Sequence, residues 1–157
     1  MHFPHLDPAL AVNPPADRVA RFLAGDAAAP ALILNLHEYH ARARYPEGYV
    51  DSKNSPNVGG REAYHRYFEG VLARILPQVP GVRLVIAPCE LTLIGDGNWH
   101  EAVIGYYPTR KTMLQIASLP EYASLVVHRT AGLKAVLTVA LHERSDVRSL
   151  LSAGGPA

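Results

Sequence analysis

Polar residues recur at every second position through the apolar run Ala31-Leu-Ile-Leu-Asn-Leu-His-Glu-Tyr39, the period of a strand. Leu32, Leu34 and Leu36 then share one face, and Ile33, Asn35, His37 and Tyr39 the other. From Gly60 to Leu76 the period turns helical and gathers Tyr64, Tyr67, Phe68, Val71, Leu72 and Ile75 on one side, with Pro77 as the stop. Val82–Ile94 and Trp99–Tyr107 flank Gly95-Asp-Gly-Asn98, residues that tolerate positive φ, and this predicts a hairpin with a bulge or break at Pro88. The β-branched run Leu133–His142 is the last strand.

Between the hairpin and that strand lies the most informative stretch, Tyr106 to Tyr122. Thr109 can cap a helix that opens after Pro108, and Ser118-Leu-Pro-Glu121 reads as a capping box that opens a second helix. A short helix over Asp17–Ala24 precedes the body, ended by Gly25, and Val19, Ala20, Phe22 and Leu23 can cover an edge of it. The expected organisation is an N-terminal arm and short helix over 1–30, a domain over 31–142, and a frayed tail over 143–157. The order strand, helix, strand, strand, helix, strand is that of an α+β ferredoxin-like βαββαβ plait, with helices on one face of an antiparallel sheet. Because the first and last strands are apolar on both faces, the second face needs a cover, and the expected partner is a second copy in a homodimer.

Composition narrows the partners. A chain of 157 residues, 48% hydrophobic, makes one domain with a core of its own. The formal net charge of +1 supplies no field for nucleic acid, and the strand over Trp99–Tyr107 carries Glu101 where RNA-recognition domains have basic flanks. A single cysteine, Cys89, excludes an internal disulfide framework, and the start Met-His-Phe-Pro-His-Leu-Asp lacks the features of a secretory signal. No apolar run reaches the roughly 20 residues of a membrane span, so the expected setting is cytoplasmic, away from any membrane.

Tyr107-Pro-Thr-Arg110, followed by Leu119-Pro-Glu-Tyr122, resembles the signature of a family of uncharacterised small bacterial domains in the dimeric α+β barrel superfamily; Glu62-Ala-Tyr64 matches the usual opening of that family's first helix. The resemblance covers roughly residues 31 to 142. Thr109 and Leu119 depart from the family's usual serines, as do the arm before Ala31 and the long segment from His40 to Gly60. It implies a dimeric α+β barrel. Through its superfamily, it also implies a comparison with cofactor-independent monooxygenases, lactone isomerases and haem-degrading enzymes, which hold a ligand beside the first strand.

Two function classes follow. One is a small homodimeric enzyme of cofactor-independent monooxygenase or isomerase type, acting on a small organic substrate. Asn35 and His37 are its candidate catalytic groups, because an amide and an imidazole on one strand face can polarise and take a proton near neutral pH. Tyr39, Arg42, Arg44 and Tyr106 are candidate substrate contacts, with the 40–60 loop as a lid whose guanidinium groups can clamp a carboxylate. The alternative is a non-catalytic homodimer that binds a small molecule or is purely structural, with Asn35 and His37 hydrogen-bonded to their neighbours. No cofactor is expected. His37 and His40 point to opposite faces of a strand, which argues against a metal site, and Glu90 and Glu101, on the two arms of the hairpin, either approach each other or are solvated strand carboxylates.

Overall fold

The alternation over Ala31–Tyr39 forms β1, the second strand in from one edge of a four-stranded antiparallel sheet ordered β2-β3-β1-β4. The computed structural model describes residues 13–141. The proline-rich start of the arm, the tail over 143–157 and the end of the last strand at His142 lie outside the described residues. In chain order the elements are α1 (Ala16–Leu23), β1, α2 (Gly60–Gly70), β2 (Arg83–Pro88), β3 (Glu101–Tyr107), α3 (Arg110–Ser118), α4 (Pro120–Gly132) and β4 (Leu133–Leu141). This is an α+β ferredoxin-like plait preceded by a short helix. Among the described residues no helix is long and apolar enough to cross a membrane.

Strand register separates the two faces of the sheet. On the face away from the helices three rows cross all four strands: Arg83-Tyr106-Leu32-Leu141, Val85-Ile104-Leu34-Val139 and Ala87-Ala102-Leu36-Leu137. These rows are almost wholly apolar, yet Val85, Leu137, Val139 and Leu141 are exposed at 37–48%. Leu34 is only half-buried, so neither it nor Val139 is the interior position that their hydrophobicity suggests for a single chain. The opposite face lies under α2 and α4, where Tyr39, Tyr64 and Leu133 pack as one cluster and Val71, Ile75, Val79 and Leu125 as another.

Two glycines let α2 come down on α4. A Cβ on Gly60 would stand 2.6 Å from the Gly132 carbonyl oxygen, and one on Gly132 would stand 2.8 Å from the Tyr64 nitrogen. Beyond Gly70 the helix continues as a π-helical turn, Val71–Ile75, and a 3-10 turn, Leu76–Gln78, that contains the expected stop at Pro77. That change of pitch leaves Leu72 exposed at 45% rather than on the buried side with Val71 and Ile75.

Thr109 caps α3 as its side chain suggests, accepting a bond from the Thr112 amide at 3.2 Å. The capping box at Ser118 does not form. Leu119 is the N-cap of α4, Pro120 opens the helix, the Ser118 hydroxyl donates back to the Gln115 carbonyl, and Glu121 Oε2 is buried without a partner. The proline after Leu119 holds that residue extended, which turns Ser118 away from the new helix. The hairpin also differs from its reading: β2 ends at Pro88, which offers no N–H to the ladder, and only the Cys89 amide to His100 carbonyl bond (3.0 Å) continues the backbone pairing. Leu91, Leu93 and Ile94 therefore project from a loop, at 71–94% exposure. Gly95 and Gly97 do take positive φ, 93° and 138°, as the turn composition requires.

Candidate functional site

On the helix-covered face the rows grade from apolar to polar. Ile33 sits beside Gly105 and Ala140, Asn35 beside Val103 and Thr138, and His37 beside Glu101 and Val136. The polar end is closed from above by Tyr64 of α2, whose ring lies 4.6 Å from that of His37 and 5.4 Å from that of Tyr39.

Glu101 is the centre of this cluster. It is only 3% exposed, and an unpaired carboxylate at such depth would be strongly disfavoured. Its two oxygens are held differently. The Tyr39 hydroxyl donates to Oε1 at 2.7 Å, whereas Oε2 faces Arg61 Nη2 at 3.5 Å and His65 Nε2 at 3.3 Å. Arg61 and His65 lie one turn apart on α2 with their side chains about half exposed. One oxygen is thus fixed in the interior and the other is loosely held beneath a solvent-facing guanidinium and imidazole. Burial, and next the bond to Glu101, push the Tyr39 phenol well above its ordinary range, so its proton stays in place as the donor.

His37 is 3% exposed, with Nε2 3.4 Å from the Tyr64 hydroxyl and Nδ1 buried without a partner. Desolvation lowers its pKa to about 4 against the pull of Glu101, so at neutral pH the imidazole is uncharged. His100 extends the β1–β3 ladder by one rung. Its amide donates to the His37 carbonyl at 2.8 Å, and its Nδ1 accepts from the Tyr39 amide at 3.0 Å.

The other residues singled out from the sequence lie apart from Glu101. Asn35 shares the strand face, but its Oδ1 accepts from Thr138 Oγ1 at 2.7 Å. Tyr106 is half-buried on the opposite, uncovered face. Arg42 is exposed and bonds to Asn57 within the loop, and Arg44 is exposed, its amide donating to the Ala131 carbonyl at 2.8 Å. The loop between β1 and α2 is pinned to α4, because the Tyr45 hydroxyl meets His128 Nδ1 at 2.8 Å and Tyr45 stacks on Tyr49. Its far arm is held where Arg66 Nη1 donates to the Ser55 carbonyl at 2.7 Å. There Asn54 and Gly59 form one wall of a groove of about 660 Å³, with Arg61, His65, Arg66 and Glu69 of α2 as the other. The loop therefore flanks the exposed side of the Glu101 cluster.

Glu101, Tyr64, Arg61 and His65 are the members that strand and helix patterns alone did not assign to a site. The signal available was the i, i+4 pair of Arg61 and His65 on the helix that begins with Gly60. Pairing His37 directly with Glu101 would have required the register of β1 on β3.

No family model matches this chain, and no curated protein matches it. Among solved structures it is similar to RPA0582, a protein of unknown function from Rhodopseudomonas palustris, at 27% identity and a TM-score of 0.73, over 85% of this chain and 97% of that one. The methylated form of RPA0582 gives 27% identity and a TM-score of 0.74, over 85% and 95%. A dimeric protein of unknown function with a ferredoxin-like fold from Bacteroides fragilis gives 8% identity and a TM-score of 0.46, over 73% and 96%.

The buried, neutral His37 sets a pH dependence. In the unfolded chain it takes up a proton near pH 6.5 and in the folded chain only near 4, so the unfolded state binds more protons throughout that window. Stability is full above pH 6.5 and falls by about 3 kcal/mol as the pH drops through 4. Urea titrations at pH 7 and pH 4 should show this loss, and His37→Gln should remove most of it. An unchanged slope in the variant would place the titration elsewhere.

Proposed function

We propose that the protein is a homodimer, closed across the uncovered sheet face, in which each subunit is a cofactor-independent enzyme of isomerase type acting on a small organic carbonyl compound. The observation that carries the catalytic part is the asymmetry at Glu101. Tyr39 fixes Oε1 at 2.7 Å, while Oε2 lies at 3.3–3.5 Å from the Arg61 guanidinium and the His65 imidazole, which line a groove. In this reading a substrate carbonyl oxygen enters the groove and takes Arg61 as its donor, which frees Oε2. Oε2 then removes a proton from the adjacent carbon, the C–H electron pair becomes the enolate, and the guanidinium stabilises the developing oxyanion. The proton held on the Glu101 carboxyl exchanges with solvent, and delivery of a proton from that carboxyl to a different carbon completes a 1,3-shift that needs no co-reactant. His37 keeps Tyr64 and the strand end in place as a neutral group, and Asn35 braces β1 against β4. Tyr39 is then a positioning residue, and the loop that carries Arg42 and Arg44 borders the groove.

A second reading, a non-catalytic binding or structural dimer, is favoured by one observation: both Glu101 oxygens already have protein partners, which suffices to explain a buried carboxylate. Solvent exchange separates the two. With a panel of small keto acids and unsaturated lactones in D₂O, followed by proton NMR, the enzyme should wash deuterium into at least one compound. Glu101→Gln should slow this by about 10²-fold or more, the usual scale of a lost general base. No exchange above the uncatalysed background, or exchange that Glu101→Gln leaves intact, would contradict catalysis.

Support for the dimer comes from the apolar rows, of which Val85, Leu137, Val139 and Leu141 are exposed in a single chain. Sedimentation should give about twice the chain mass of 17.1 kDa. Leu137→Asp, at a position already exposed in one chain, should yield a folded monomer. A wild-type protein that sediments as a monomer would remove the partner sheet from the account.

A further inference from the structure

A second cavity lies at the other end of the sheet, where β1 begins and β4 ends. It has a volume of about 330 Å³ and is lined by Phe22, Pro30, Ala31, Ala140 and Leu141, with Arg110 as its charged member. This size falls at the lower end of small-molecule sites.

Arg110 opens α3, yet the amides of that turn are not free: Arg110 N–H donates to the Ala29 carbonyl at 2.9 Å, and Thr112 N–H is capped by Thr109. The unusual feature is the guanidinium itself. It is partly buried, stands over the Phe22 ring with Cζ 5.0 Å from the centroid, and donates through Nη1 to the Phe22 carbonyl at 2.7 Å. Nε is buried with no hydrogen-bond partner, and no carboxylate among the described residues lies within ion-pair distance of the group. With Nη1 held, the unoccupied side is the Nε–Nη2 edge, two parallel N–H donors whose spacing matches the two oxygens of a carboxylate. A partly buried cation without a counter-charge among the described residues is uncommon, and here it borders an apolar cavity.

We propose that this cavity binds a small organic monocarboxylate, its two oxygens on the Nε–Nη2 edge of Arg110 and its short apolar body against Pro30, Ala31, Ala140 and Leu141. A single guanidinium matches a single negative charge, and the apolar lining offers nothing further to a phosphate dianion. The site is separate from the Glu101 cluster and stands whether or not that cluster is catalytic.

Calorimetric titration of the full chain with hexanoate, and with its uncharged counterpart hexanamide, tests the assignment. Hexanoate should bind at least about tenfold more tightly than hexanamide, and Arg110→Lys, which keeps the charge and loses the fork, should cost about tenfold. Ala140→Phe should abolish binding by filling the cavity. It leaves Arg110 and its bond to Phe22 untouched, so it decides the matter if circular dichroism shows the arginine variant to be unfolded. Equal affinity for acid and amide, no binding of hexanoate at about 10 mM, or undiminished binding by Ala140→Phe would overturn the proposal.

Discussion

The hydrogen bond from the Tyr39 hydroxyl to Glu101 Oε1 is the interaction on which the polar end of the molecule depends. It joins the last residue of β1 to the first of β3 across the ladder, beneath a helix that reaches the same carboxylate through Arg61 and His65. A carboxylate 3% exposed is tolerated because charge-assisted bonds replace its hydration, so the strand ends and α2 must keep their relative positions for the charge to stay satisfied. The glycine contact between α2 and α4 serves the same placement, since it lets the helix bearing Tyr64, Arg61 and His65 lie close over the end of β1.

The sheet divides its work by face. Toward the helices it grades from an apolar interior to the His37–Glu101 pair, and away from them it presents three largely apolar rows in which Val85, Leu137, Val139 and Leu141 stay exposed. The same alternation along β1 produces both results: Leu32, Leu34 and Leu36 belong to the open face, and Asn35, His37 and Tyr39 to the covered one. A one-residue slip of β1 would exchange these sets, so the buried carboxylate and the apolar exterior fix each other's register.

What the sequence discloses follows the reach of each signal. Period-two alternation located β1 and its faces, and the Thr109 cap was readable because it is a local bond across three residues. The capping box at Ser118 failed because the proline after Leu119 imposes its own geometry on the preceding residue. The long first arm of the hairpin failed for a different reason. Apolar residues at Leu91, Leu93 and Ile94 imitate a strand, but the ladder loses its donor at Pro88. Glu101 was the largest omission. Its position at the start of a strand looks solvated until β3 is registered on β1, which sets it against His37 and under Arg61 and His65, contacts 36 to 64 residues away in the chain.

A double-mutant cycle of Tyr39→Phe and Glu101→Gln, followed by urea denaturation, tests most directly whether the carboxylate and the phenol form one unit. Each single change should destabilise the protein by about 1–3 kcal/mol, by leaving a buried partner unsatisfied. The double variant should lose at least about 1 kcal/mol less than the two together, because the second change then removes an orphan rather than creating one. Additivity within about 0.5 kcal/mol would contradict the account and leave Glu101 without the fixed oxygen on which it rests.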